Sequence, residues 1–356
     1  MNKRTVCILT VAAAAMACLF VGAFAQSNAP NYQLLTTIAV PGGLAAFDIS
    51  WVDASSQRYY LSDHTATPGT GRIDVVDTQA MTLLNTIPGF AGTVPNPAPG
   101  CTASGPTGVV AIPQLHQLYV GDGDSTVKVV DTVAQTVIAV IPTGGNCRAD
   151  ELAYDAADHI IVIANDQDSP PFLTFISADT QSFLGRLTYP PSQIGHGLEQ
   201  PVWNPKNNRF YQAVPQIPGT NTGSIDIINP LTRKVERSLN TGCSPAGLVL
   251  TPSQRLKTSC GEAFDAITGD RLGRTEAEGK IVLADQLWYN PGDNHYYFGF
   301  VFNPAAGFNG CAVVDANTDQ LLTFIPASTH TLAADPNYNR IFIPVSGSGI
   351  QVWAAQ

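Results

Sequence analysis

The sequence predicts an all-β chain, a seven-bladed β-propeller closed by a strand from its own N-terminal end. Three observations carry this. One strand-and-turn unit recurs at a spacing of roughly 40 to 60 residues, the range of propeller blades. The last copy stops one strand short. An unattached segment near the N-terminus has the pattern of the missing strand.

Each unit opens with a short apolar strand ending at a polar or Pro-flanked corner, as in FDISWVDA (Phe47–Ala54), LEQPVWNP (Leu198–Pro205), DQLWYNP (Asp285–Pro291) and HTLAADP (His330–Pro336). A second strand follows, as in RYYLSD (Arg58–Asp63), QLYVGD (Gln117–Asp122) and HIIVIAND (His159–Asp166). The third ends in Asp-x-x-Thr or a relative (RIDVVDT, VKVVDT, CAVVDANT), and the fourth is an outer strand such as VIAVIPTGG or LLTFIPA. β-Branched and aromatic runs bounded by Gly, Pro, Asn and Asp are strand signals. The seven corners fall at Asp53, Ile112, Asp155, Asn204, Thr251, Asn290 and Asp335. The seventh unit ends at Val352-Trp353 after three strands, and LLTTIAVPGG (Leu34–Gly43) supplies the fourth, which removes an exposed sheet edge. The inserts Gly89–Gly105 and Gln216–Gly223 are expected as rim loops.

Residues 26–356 thus read as one propeller domain behind a signal peptide over residues 1–25. Lys3 and Arg4 form its positive end, Val6–Phe20 its apolar run and Ala23-Phe24-Ala25 its cleavage site. The expected location is secreted or periplasmic, with no membrane span after cleavage. Export exposes thiols to an oxidising compartment, so cysteine pairs are expected. Cys101 and Cys147 precede the inner strands of neighbouring blades, and Cys243 and Cys260 flank two strands of one blade. Both pairs are placed to meet, which leaves Cys311 alone; the spacing matches no zinc motif.

Charged residues make up 13% of the chain, the net charge is −10, and Gly (31) and Pro (26) are plentiful, as suits a turn-rich exported β protein. An acidic chain without a basic cluster argues against nucleic acid and anionic membranes as partners. A small molecule or an extracytoplasmic protein remains.

The first strand of each blade lines the channel. Setting the corners equal and stepping back five residues gives Asp48, Thr107, Asp150, Glu199, Ala246, Asp285 and His330. Carboxylates crowded on one rim repel one another, which raises their pKa values unless a cation or protons intervene. A divalent metal ion (Ca, Mg, Mn or Zn) held by Asp48, Asp150, Glu199, Asp285 and His330 is the expected relief. Asp285, His330 and Asp48 come from consecutive blades across the closure; Asp150 and Glu199 form a facing pair. Arg148, beside Cys147, is expected to neutralise a ring carboxylate. Glu151, Gln200 and Gln286 are expected to pack between blades or bond to backbone. His196, in Gly195-His196-Gly197, is placed to overhang the mouth. His64, His116, His159 and His295 read as surface or packing residues, and Gly121–Ser125 (GDGDS) as a hairpin turn. There is no G-x-S-x-G elbow, phosphate loop, C-x-x-C-H or H-E-x-x-H.

The run STVKVVDTVAQTVIAVIPTGG (Ser125–Gly145) resembles the YVTN-type, surface-layer and nitrite-reductase-like repeats of bacterial secreted propellers. The resemblance extends over nearly the whole mature chain and is loosest at Ser244–Gly279; it implies the fold and an exported location. Glu199-Gln200-Pro201-Val202-Trp203-Asn204 resembles the E-G-P-V-W-D segment of the senescence marker/gluconolactonase propellers, which implies a metal-ligand role for Glu199. This chain departs from that family in Gln200, in having no ring Asn and in its seven blades.

Function is therefore expected to be that of a binding or scaffold propeller whose acidic channel site holds a divalent cation or small ligand. The alternative is a lactonase-like, metal-dependent hydrolase or lyase with His330 or His196 as general base. Electron transfer through a haem or quinone partner ranks last, for want of a haem-ligand motif.

Overall fold

The computed structural model describes residues 29–93, 98–195, 197–277, 280–281, 283–303 and 308–356. The expected signal peptide, residues 1–25, lies outside them.

The corners explain why the strands recur. At five of them the Asp or Asn side chain accepts the backbone N–H two residues on: Ser55 to Asp53 at 3.0 Å, Ala157 to Asp155 at 2.8 Å, Lys206 to Asn204 at 2.9 Å, Gly292 to Asn290 at 3.1 Å and Asn337 to Asp335 at 2.9 Å. This side-chain turn reverses the chain without a ladder bond. The residue four past each of these corners then takes a left-handed backbone, as Gln57, His159, Asn208, Asn294 and Asn339 do. The same device ends the third strands: Asp131 accepts from Val133 and Ala134, both at 2.8 Å, ahead of left-handed Gln135.

The strands so defined form seven antiparallel four-stranded sheets, each with its strands in chain order except the last. Blade one comprises Phe47–Asp53, Arg58–Asp63, Gly71–Asp77 and Thr82–Phe90. The first strands of blades two to seven are Val109–Ile112, Leu152–Asp155, Pro201–Asn204, Leu248–Leu250, Gln286–Asn290 and Ala333–Asp335. In blade seven the fourth strand is Tyr32–Ile38, which pairs antiparallel with Gly349–Ala355 from Tyr32↔Ala355 to Ile38↔Ile350. The closing strand thus starts two residues before the expected Leu34 and ends at Ile38, because Gly42 and Gly43 take positive φ (81° and 79°) and turn the chain. Val40 and Leu44, beyond the strand, plug the seam between blades seven and one.

Second and third strands are buried on both faces, while fourth strands such as Thr136–Pro142 alternate toward solvent. Each of seven apolar clusters fills one interface between neighbouring blades, including the closure, where Phe342, Ile350 and Val352 meet Tyr59, Leu61 and Val76. Each fully buried Val, Leu or Ile there contributes about 1.5–3 kcal/mol. Near the axis the first strands come close enough that Gly108 and Gly247 admit no side chain. A Cβ on Gly247 would stand 2.9 Å from the Asp285 carbonyl, and one on Gly108 would strike that of Asp150.

Both expected cysteine pairs are joined, with Cα separations of 5.2 Å (Cys101–Cys147) and 6.0 Å (Cys243–Cys260); Cys311 is free and buried. Among the described residues no helix is long and apolar enough to cross a membrane.

Candidate functional site at the acidic channel mouth

Four of the seven ring positions read from the corners make the same backbone bond. Thr107, Asp150, Glu199 and Asp285 each donate their backbone N–H to the second strand of their own blade, at Gly121, Ala164, Ala213 and Gly299, over 2.7–3.1 Å. Their side chains therefore stand at one level of the channel.

Arg148 organises the ring. Nη2 lies 2.6 Å from Asp150 Oδ2 and 3.0 Å from Asp166 Oδ2, and Nη1 lies 3.4 Å from Asp48 Oδ2. Burial opposes the guanidinium charge, but Asp150, Asp166 and Asp48 more than compensate and raise its pKa. The expected neutralising role of Arg148 thus extends to three carboxylates from blades one and three.

On the other side of Asp48 stands His330, with Nε2 3.7 Å from Asp48 Oδ1 and its ring stacked on Phe47 at 5.1 Å. Burial disfavours charge on both, but His330, Arg148 and His64 hold Asp48 below the usual carboxylate range. Asp48 and then Asp285 in turn hold His330 above the ordinary imidazole value, against the cost of burial. Asp285 is exposed to the channel; desolvation still raises its pKa and His330 lowers it only in part.

The remaining carboxyls lack enough partners. Burial, with Asp285 and Asp166 as neighbours, pushes Glu199 up to about 8. Burial lifts Asp150 well above its usual range in spite of Arg148, and lifts Asp166 less. Glu151 is likewise raised well above its ordinary value by burial and by Glu199, Asp150 and Asp285. The mouth carries Asp48, Asp150, Asp166, Glu199 and Asp285, with Glu151 next to them on the inner side, against one guanidinium and two imidazoles, so it holds protons where a cation is absent.

Arg148, Asp166 and Glu199 also line a cleft of about 480 Å³, together with Thr102, Asp168 and Pro170. The Cys101–Cys147 disulfide ties the long insert to this cleft, and Gln167 Oε1 accepts from the Thr102 N–H at 2.7 Å.

The structure pairs Asp48 with His330 and places Arg148 between Asp48 and Asp150, and the charged neighbours that act most on Glu199 are Asp285 and Asp166. Among the described residues no group of three or more His, Cys, Asp or Glu side chains is arranged to hold a metal ion. His196 lies outside the described residues. Gln200 bonds to backbone as expected, its Oε1 accepting from Leu248 N at 2.9 Å. Glu151 and Gln286 do not: Gln286 Nε2 donates to Glu151 Oε1 across the channel, joining blades three and six.

Two members of the site escape the alignment of first strands. Asp166 directly follows the second strand of blade three, as Asp122 follows that of blade two, and Asp63 ends that of blade one; Asp63 and Asp122 pair with Arg72 and Lys128. Aligning second-strand ends would have found it. His64 follows Asp63, yet turns inward until Nε2 lies 3.8 Å from Asp48 Oδ2. Burial lowers its pKa, with Arg148 and His330 adding to the effect against the pull of Asp48.

No family model matches the chain, and no curated protein matches it. Among solved structures, it resembles a chain of "Crystal Structure of Mitotic Checkpoint Complex" with a TM-score of 0.64 and 15% identity over 100% of this chain and 99% of that chain. At that identity the likeness is one of fold alone.

Proposed function

We propose that this protein is an extracytoplasmic binding propeller whose acidic channel mouth takes a cationic small molecule. The observation that carries the reading is the excess of carboxyls around Arg148: burial and mutual repulsion raise Asp150, Asp166, Glu199 and Asp285, and only Asp48 is lowered. A bound cation relieves that repulsion. The divalent ion expected from the sequence is not carried into the proposal, because Arg148 already lies among Asp48, Asp150 and Asp166. The leader-like sequence at residues 1–25 and the two disulfides support export.

Calorimetric titration with spermidine tests the proposal. Affinity is expected to fall with salt and to drop roughly tenfold in the Glu199→Gln, Asp285→Asn double variant, which removes two carboxyls that can ionise against the bound cation. Salt-independent binding, or equal binding by the double variant, rejects the reading.

A further inference from the structure

The first strands run from the acidic ring to the corners, and at the corner end the channel opens into an apolar funnel of about 380 Å³. That size and lining are those of small-molecule sites, which span roughly 300–1,000 Å³ and combine apolar walls with a few convergent polar groups. The wall carries three of the four tryptophans, Trp51, Trp203 and Trp288, together with Tyr154, Leu250 and Tyr289. Trp51 and Trp288 meet edge to face at 5.2 Å and 81°. All three tryptophans are only half-buried, so each leaves part of its ring on the funnel wall.

Above the funnel is a water-sized space of about 10 Å³, bounded by Glu151, Gln200 and Gln286 and sharing Trp51 and Trp288 with the funnel. The Glu151 side chain is a built feature of this floor. The residue is 4% exposed, its Oε1 accepts from Gln286 Nε2, and its Oε2 has no hydrogen-bond partner among the described residues. Gln200 is committed to the Leu248 N–H. A buried carboxyl oxygen left unpaired costs stability until a donor reaches it.

We propose that this funnel is a second binding site, for a primary amine with an aromatic body, the body stacked among Trp51, Trp203 and Trp288 and the ammonium received by Glu151 Oε2. The space beside Glu151 sets the head group: it has room for about one water, which a primary ammonium matches and a trimethylammonium exceeds. The charge complements it as well, since Glu199, Asp150, Asp285 and Asp48 are the charged groups acting on Glu151 and all are acidic. Tryptophan faces add cation–π attraction for the same head. The funnel opens at the end of the channel away from the mouth, and Glu151 lines the small space that adjoins the funnel and not the mouth cleft.

The test is titration of the full chain with 2-phenylethylamine, 2-phenylethanol and the N,N,N-trimethyl amine, followed by tryptophan fluorescence and calorimetry. The amine is expected to bind roughly tenfold or more tighter than the alcohol, as a charge-assisted hydrogen bond warrants, and tighter than the trimethyl form. Glu151→Gln, which keeps an acceptor for Gln286, is expected to bring amine and alcohol to similar affinity. Asp166→Asn, in the mouth cleft and not among the charges named on Glu151, is expected to leave the amine preference in place, which separates this site from the mouth. Leu250→Arg sets a guanidinium in the funnel wall and is expected to abolish amine binding; it serves if Glu151→Gln does not fold. Equal affinity for amine and alcohol, no binding of either, or a preference that survives both Glu151→Gln and Leu250→Arg overturns the proposal.

Discussion

Arg148 Nη1 lies 3.4 Å from Asp48 Oδ2, joining blade three to blade one across the channel mouth over 100 positions of sequence. The same guanidinium holds Asp150 and Asp166. It is the fixed positive charge around which an otherwise repulsive ring is assembled. Removing one partner from a buried ion cluster leaves the others uncompensated, which typically costs about 3–5 kcal/mol. Arg148→Met is therefore expected to lower the melting temperature by several degrees at pH 7, and to recover part of the loss at pH 5, where protons replace the guanidinium. A variant that melts with the parent chain at both pH values contradicts this role.

The carboxyl shifts fix a sign for stability against pH. Folded Glu199 keeps its proton up to about 8, whereas the unfolded side chain releases it near 4.5. Between these values the native state binds more protons, so stability falls as pH rises. Asp150, Glu151, Asp166 and Asp285 shift in the same direction. His330, raised, contributes stability that is present below its ordinary value and is lost as pH rises through its folded one. His64, lowered, has the opposite sign, and Asp48, lowered, loses its contribution only in acid below this window. The melting temperature is expected to be higher at pH 5 than at pH 8, with Glu199→Gln flattening the slope by raising the pH 8 value. A melting temperature that climbs from pH 5 to pH 8 contradicts the assignment.

The disulfides close loops of different length, 46 positions for Cys101–Cys147 and 17 for Cys243–Cys260. Chain entropy gives about 4 and about 3 kcal/mol respectively. Cys101→Ser with Cys147→Ser is expected to cost more stability than the other pair, measured by urea denaturation. It also frees the insert beside Arg148, so spermidine binding is expected to weaken with it. Removal of the Cys243–Cys260 pair is expected to leave binding intact.

Ring closure rests on Tyr32–Ile38, whose buried ends are Tyr32 and Ile38. Tyr32 Oη and Tyr297 Oη share a 2.8 Å hydrogen bond, so the closing strand also clasps blade six. Ile38→Asp places a charge in the seam with Ile350 and Phe342, where an unpaired carboxylate is costly. It is expected to open blade seven and produce soluble oligomers by size-exclusion chromatography, since the freed edge of Gly349–Ala355 can pair with another copy. A monomer as stable as the parent chain contradicts the closure.

Much of the architecture was legible because the corners are local. Asp53, Asp155, Asn204, Asn290 and Asp335 each make their turn with residues two to four positions away, so the pattern survives in the sequence whatever the blades do. The ring followed from the corners by counting. The partners across the channel did not, because Arg148 to Asp48 and Gln286 to Glu151 depend on the radius of the closed ring and on side-chain rotamers. His64 was masked by its place at a strand end, where most histidines face solvent. The tryptophans of the funnel were scattered by offset: Trp51 and Trp288 stand two residues before their corners and Trp203 one, so no single register gathers them.

The central claim is that the channel mouth stores protons that a cationic ligand displaces. Calorimetry of spermidine binding at pH 7, repeated in buffers of different ionisation enthalpy, counts those protons directly. Glu199, held at about 8, is mostly protonated at that pH, and release of roughly half to one proton per ligand is predicted. Binding with no proton release, or with proton uptake, contradicts the account.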